Sequence, residues 1–257
     1  MKKINLESKT FIISGCCGYL GQKIVDEYLK QGSNIIAIDN NEDKISDQIE
    51  EYKSMNFYGC RGDITDRSTL DIIFENAVDK YGKIDGAINL AYPRNDNYGK
   101  DFLDVSFADF SENTALHLGG YFVFMQKCVQ YSIEKNQRFS LINFSSIYGN
   151  IAPKFEIYKN TDMTMPVEYA AVKSGLQHLT KYITKYTFGT KFRANCISPG
   201  GIYNEQNENF LDAYNSNCRS KGMLDIEDII GTTLFLSSDL SNYICGQNII
   251  VDDGFSV

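Results

Sequence analysis

Within MPVEYAAVKSG, residues 165–175, Tyr169 and Lys173 stand four positions apart among small residues. Positions i and i+4 share one helix face, so phenol and ammonium would lie side by side. A tyrosine of ordinary pKa, near ~10, is a poor base at neutral pH, and a neighbouring cation favours its phenolate. Such a pair has the chemistry to move a proton to or from an alcohol oxygen. Spacing alone is weak evidence, because Tyr-x-x-x-Lys arises by chance in many helices.

A second group of residues suits a dinucleotide. The stretch SGCCGYLGQ, residues 14–22, leaves an apolar run and opens a helix-like segment. Gly15, Gly18 and Gly21 allow a tight turn and close backbone approach to a pyrophosphate, and Tyr19 and Leu20 open the helix whose N–H groups would meet it. Asp39 closes the next apolar run, where a carboxylate binds ribose hydroxyls and repels a 2′-phosphate. Cys16 and Cys17 offer no compensating cation, so NAD is expected over NADP.

These residues need elements to hold them. Apolar runs at 10–13, 34–39, 56–60, 86–91, 140–145, 193–198 and 248–252 read as strands. Amphipathic segments near 19–31, 66–81, 107–134, 166–187 and 226–237 read as helices. The alternation predicts an α/β fold: a doubly wound parallel sheet of the Rossmann type, about seven strands flanked by helices, in a single domain. Ligands would bind at the carboxyl ends of the strands.

Bulk composition agrees and excludes much. The chain has 257 residues, 43% of them hydrophobic, with no Gly/Ser-rich or Pro-rich linker. A net charge of −8 and the absence of a basic stripe argue against nucleic acid. Seven scattered cysteines form no C-x-x-C pair, and His117 and His178 complete no zinc-like spacing, so no metal is expected. The opening MKKINLESKTFIISG lacks the apolar run of a signal peptide, and no stretch is long enough for a membrane span. A cytoplasmic protein with no membrane partner is the expectation.

Taken in order, the motifs resemble those of the short-chain dehydrogenase/reductase family over nearly the whole chain. After the glycine turn come Gly62-Asp63-Ile64, Asn89-Leu90-Ala91, INFSS (142–146), YAAVK (169–173), ISPGGI (197–202) and GQNIIVDDG (246–254). The resemblance implies hydride transfer between a nicotinamide and a carbinol or ketone. It implies Ser146 on the substrate oxygen, with Ser145 as the alternative, Tyr169 as the proton donor or acceptor, and Lys173 on the nicotinamide ribose. Asp63 and Ile64 would meet the adenine side, Asn89 and Ala91 would also serve the cofactor, and Pro199, Gly200 and Ile202 would position the carboxamide. The family's helix asparagine, which props a proton-relay water, is replaced in ALHLGGYF (115–122) by His117; Asn113, one turn earlier, is the alternative. The glycine spacing and the long Ser146–Tyr169 gap resemble the family's longer, sugar-nucleotide-modifying branch, whereas the close near residue 257 resembles the short one.

An insert at about 147–168 and a lid at about 203–222 would cover the site, both rich in polar and aromatic residues. They suit a hydroxylated ligand such as a sugar phosphate or nucleotide sugar, with Arg94, Lys154, Tyr158 and Asn204 as candidate contacts and Arg94 or Lys154 on a phosphate. The wording of the chain also resembles family members from bacterial surface-sugar and flagellin-modification clusters, which implies a step in making a glycan sugar. Alternatives are an epimerase or dehydratase with retained NAD, and a non-catalytic dinucleotide sensor. A homodimer or homotetramer is expected by resemblance, through helices 107–134 and 166–187 and the tail 246–257.

Overall fold

The computed structural model describes residues 3–257. A seven-stranded sheet runs β3-β2-β1-β4-β5-β6-β7 in space, with every neighbouring pair parallel. Its strands are β1 (Thr10–Ser14), β2 (Asn34–Asp39), β3 (Phe57–Arg61), β4 (Gly86–Asn89), β5 (Phe139–Phe144), β6 (Phe192–Pro199) and β7 (Asn248–Val251). Every residue of β1, β4, β5 and β6 is buried, which is why these strands read as continuous apolar runs rather than alternating ones.

The helices are α1 (Tyr19–Lys30), α2 (Glu42–Glu51), α3 (Arg67–Tyr81), α4 (Phe107–Thr114), α5 (Gly120–Lys135), α6 (Val167–Tyr186), α7 (Glu208–Asn215) and α8 (Glu227–Ser237). One face of the sheet buries Phe74 of α3, Phe124 of α5 and Leu176 of α6; the other buries Ile24 of α1, Ile45 of α2 and Leu236 of α8. Each such side chain contributes roughly 1.5–3 kcal/mol of burial. The doubly wound sheet expected from the sequence is present, and the strand order reverses between β1 and β4, opening a crevice at their carboxyl ends.

Three local features differ from the sequence reading. Helix α2 escaped it because only Ile45 and Gln48 of its ten residues are buried, too few to mark a period. Its start is fixed instead by Asn41, whose side chain accepts from the Lys44 N–H at 3.0 Å. Helix α7 lies within the segment read as a lid. The long helix expected at 107–134 is broken by a π turn over Ala115–Gly119, between α4 and α5. His117 sits in that turn.

Candidate active site and cofactor cleft

Gly15 leaves β1 with φ +70°, and a Cβ there would lie 2.7 Å from the Ala91 backbone nitrogen. A Cβ on Gly21 would lie 2.2 Å from the Gly15 carbonyl oxygen. The turn is therefore packed backbone to backbone, and it brings the start of α1 to the crevice. No side chain among the described residues caps α1 at Gly18, so the first-turn N–H groups, at Tyr19, Leu20 and Gly21, are left for a ligand. Asp39 at the end of β2 accepts the Cys17 N–H at 3.0 Å and the Asn41 N–H at 3.0 Å.

A cavity of about 280 Å³ is lined here by Gly15, Gly18, Asp39, Asp63, Ile64 and Ala91, with Lys44 its one cation among the described residues. It shares Gly15, Gly18, Leu90 and Tyr92 with a larger cavity of about 760 Å³ that contains Ser146, Tyr169 and Lys173. The two form one cleft, with an uncapped helix start between an acidic end and a hydroxyl-rich end. These residues fit an extended dinucleotide. Cys16, Cys17 and Asp39 also bring ligand-capable atoms within 4.8 Å of one another. The Cys16 thiol is pushed far up by its contact with Cys17 and by burial, which disfavours the thiolate a metal needs.

At the far end, α6 sets Tyr169 and Lys173 on one face, with the lysine buried. Ser146 and Tyr169 line the same cavity, and the Ser146 hydroxyl accepts the Tyr148 N–H at 3.2 Å. Ser145 is engaged elsewhere: its hydroxyl donates to the Lys173 carbonyl at 3.0 Å and accepts from Gln177. Burial raises the Tyr169 pKa and the nearby Ser146 hydroxyl offsets part of that. The sequence reading had the lysine lowering it. With the chain's own groups alone, desolvation dominates, and it also brings Lys173 down to about 7.

The Lys173 ammonium donates to the Phe144 carbonyl at 2.8 Å and to the Tyr121 hydroxyl at 2.9 Å. One of its three hydrogens has no partner among the described residues. Tyr121 was not singled out in the sequence. The signal was there, since His117 and Tyr121 repeat the four-residue spacing of Tyr169 and Lys173 on the adjoining helix.

Other candidates fall in different places. Arg94, Tyr158 and Asn204 line the larger cavity, as do Tyr19, Leu20, Gly21, Pro199, Gly200 and Ile202. Lys154 does not line it. Its ammonium bonds Asn217 Oδ1 at 3.1 Å and the Phe255 carbonyl at 2.9 Å, and lies over the Phe255 ring. Asn89 is buried inside the sheet, accepting from Ser14 and donating to Asn143, outside the cleft. Asn113 braces the loop after β4, accepting the Asn95 N–H at 2.9 Å and donating to Glu168 at 3.4 Å. His117 touches Tyr121 and packs edge-on against Tyr92, behind the cavity wall. The lid carries Phe210 and Tyr214 into an aromatic cluster with Tyr148 and Tyr158 of the insert and Phe255. The substrate end is consequently richer in aromatic and methionine side chains (Met163, Met165, Met223) than the loops' polar sequence suggested.

The family model described as enoyl-(acyl carrier protein) reductase matches residues 19–256. The chain belongs to the short-chain dehydrogenase/reductase family. This oxidoreductase is 38% identical over 256 residues to the post-translational flagellin modification protein A of Campylobacter coli, covering 98% of this chain and 100% of the relative. It is 28% identical to the 3-oxoacyl-[acyl-carrier-protein] reductase FabG of Thermotoga maritima, covering 99% of this chain and 100% of the relative. A short-chain dehydrogenase from Leptospira borgpetersenii, solved with bound NAD+, superposes with a TM-score of 0.87 at 30% identity, covering 100% of this chain and 97% of that one. Family members use NAD or NADP, and no helix among the described residues is long and apolar enough to cross a membrane.

Proposed function

We propose that this short-chain dehydrogenase/reductase uses NAD to interconvert a secondary alcohol and a ketone on an anionic, sugar-type substrate, in the making of a surface-glycan sugar. One observation carries the reading. The Tyr169 phenol, on the Lys173 face of α6, lies with Ser146 in the same cavity as the exposed Arg94 guanidinium. Bound nicotinamide supplies or takes the hydride. Ser146 holds the substrate oxygen, and Tyr169 gives it a proton or takes one. Lys173 directs its free hydrogen to the ribose and adds a positive charge near the phenol. Asp39 accepts from the adenosine ribose hydroxyls, and its carboxylate disfavours a 2′-phosphate.

Arg94 stacks on the rings of Tyr92 and Tyr98, 4.8 and 5.9 Å from their centroids, and forms no ion pair among the described residues. A guanidinium so held is ready for a phosphate oxygen. Tyr148, Tyr158, Asn204 and Gln206 add hydrogen-bonding groups around aromatic faces, which suits a hydroxylated ring. The flagellin-modification relative supports a sugar rather than a fatty-acyl chain. The exposed Phe107, Phe122, Tyr182 and Tyr186 on α4, α5 and α6 support self-association through those helices.

The test is turnover with NAD across matched sugars, sugar phosphates, nucleotide sugars and a 3-oxoacyl thioester. Phosphorylated sugars should be the best substrates, Arg94→Gln should raise their KM about tenfold or more, and Tyr169→Phe should abolish turnover while cofactor still binds. Preference for the thioester would overturn the sugar reading.

A further inference from the structure

The Tyr121 hydroxyl has three neighbours and a single hydrogen. Ala91 O, at 2.7 Å, can only accept, so it takes that hydrogen. The Lys173 ammonium, at 2.9 Å, donates and occupies one lone pair of the hydroxyl oxygen. The second lone pair faces His117 Nε2 at 2.8 Å. With the hydroxyl hydrogen already assigned, Nε2 must be the donor. His117 is therefore the Nε2–H tautomer, and its Nδ1 carries a bare lone pair that is buried and has no partner among the described residues.

We propose that Tyr121 is a positioning residue that acts through Lys173: its hydroxyl, held by Ala91 and His117, accepts one hydrogen of the ammonium and fixes that group in place. This rests on Lys173 serving the reaction as described above. The groups facing the ammonium leave Tyr121 in that role. Tyr169, Tyr92 and Tyr121 present rings at 5.4, 5.9 and 5.0 Å, and the Cys196 thiol of β6 supplies a weak favourable interaction. No carboxylate ion-pairs with it among the described residues. Its two acceptors are the Phe144 carbonyl and the Tyr121 hydroxyl. His117 cannot compete for the proton, since burial and the nearby Lys173 and Arg94 charges hold its pKa down to about 2. Tyr121 itself stays neutral, its pKa raised by burial.

The protein has two histidines, so nitrogen-15 spectra of the imidazoles, assigned with His178→Gln, read the tautomer directly in the intact protein. The expected pattern for His117 is a protonated Nε2 and a bare Nδ1, unchanged across neutral pH; a protonated Nδ1 overturns the proposal with no variant needed. Lys173 is then titrated through carbon-13 at Cε, assigned with Lys173→Arg. In Tyr121→Phe its pKa should fall by about one unit or more, a tenfold loss in proton affinity, because a hydrogen bond to a charged group is removed. An unshifted titration overturns the proposal. Both measurements need no turnover, so an inactive wild-type protein with the expected spectra would count against the functional reading and not against this one.

Discussion

The Cys17 N–H donates to Asp39 Oδ2 at 3.0 Å, so the glycine turn and the end of β2 are held together by the carboxylate assigned to the ribose. Asp39 has a second bond to the Asn41 N–H, so its direction is set before any ligand arrives. Asp39→Asn keeps the shape and removes the charge that repels a 2′-phosphate. Lys44, on the same lining, is then free to meet that phosphate. The expected outcome is about a tenfold or larger shift of the kcat/KM ratio toward NADP, measured by steady-state kinetics with both nucleotides. An unchanged ratio would remove Asp39 as the selector.

The glycines of the turn are not equivalent. Gly18 has ordinary extended backbone, φ −73° and ψ 167°, and a Cβ there would meet the Gly15 carbonyl oxygen at 3.3 Å. At Gly21 the same added atom would come within 2.2 Å of that oxygen, and backbone cannot swing aside as a flexible side chain can. Gly18→Ala should cost under ~1 kcal/mol and Gly21→Ala about 3 kcal/mol or more, by denaturant unfolding.

Lys154 separates a structural cation from a substrate-binding one. Its bonds to Asn217 and the Phe255 carbonyl tie the insert to the segment after α7 and to the C-terminal turn. Lys154→Met should lower stability by about 1–2 kcal/mol and leave the KM of a phosphorylated substrate within about twofold, against the roughly tenfold rise expected for Arg94→Gln. A tenfold KM effect at Lys154 would return it to the site.

How far the sequence carried the structure follows from what each signal depends on. The strands were legible because burial on both faces makes them continuously apolar, and the cofactor turn because close backbone approach leaves only glycine at Gly15 and Gly21. Helix α2 was not, since its start is encoded in one capping asparagine rather than in a period. The place of Lys154 was hidden because a cation on a loop reads the same whether it faces a ligand or a carbonyl 101 positions away. Tyr121 was missed for a related reason. A tyrosine in an apolar helix face looks like core until the partners of its hydroxyl, drawn from α6, from the π turn and from the loop after β4, are seen together.

The buried lysine also ties stability to pH. Lys173 has its pKa lowered from 10.5 to about 7 by desolvation. Below about pH 7 both folded and unfolded chains hold the proton, and the folded state carries the whole cost of the buried ammonium. Between about pH 7 and 10.5 the unfolded chain binds more protons than the folded one, so stability rises with pH. The buried tyrosines with raised pKa values act oppositely, but only above about pH 10, where unfolded tyrosines ionise. Comparing the wild type with Lys173→Met from pH 6.5 to 9 isolates the lysine. The wild type should gain about 2 kcal/mol on the variant across that window, at up to ~1.4 kcal/mol per pH unit. A difference that stays flat would mean that Lys173 keeps an ordinary pKa, held there by the Tyr121 and Phe144 oxygens more strongly than burial opposes it.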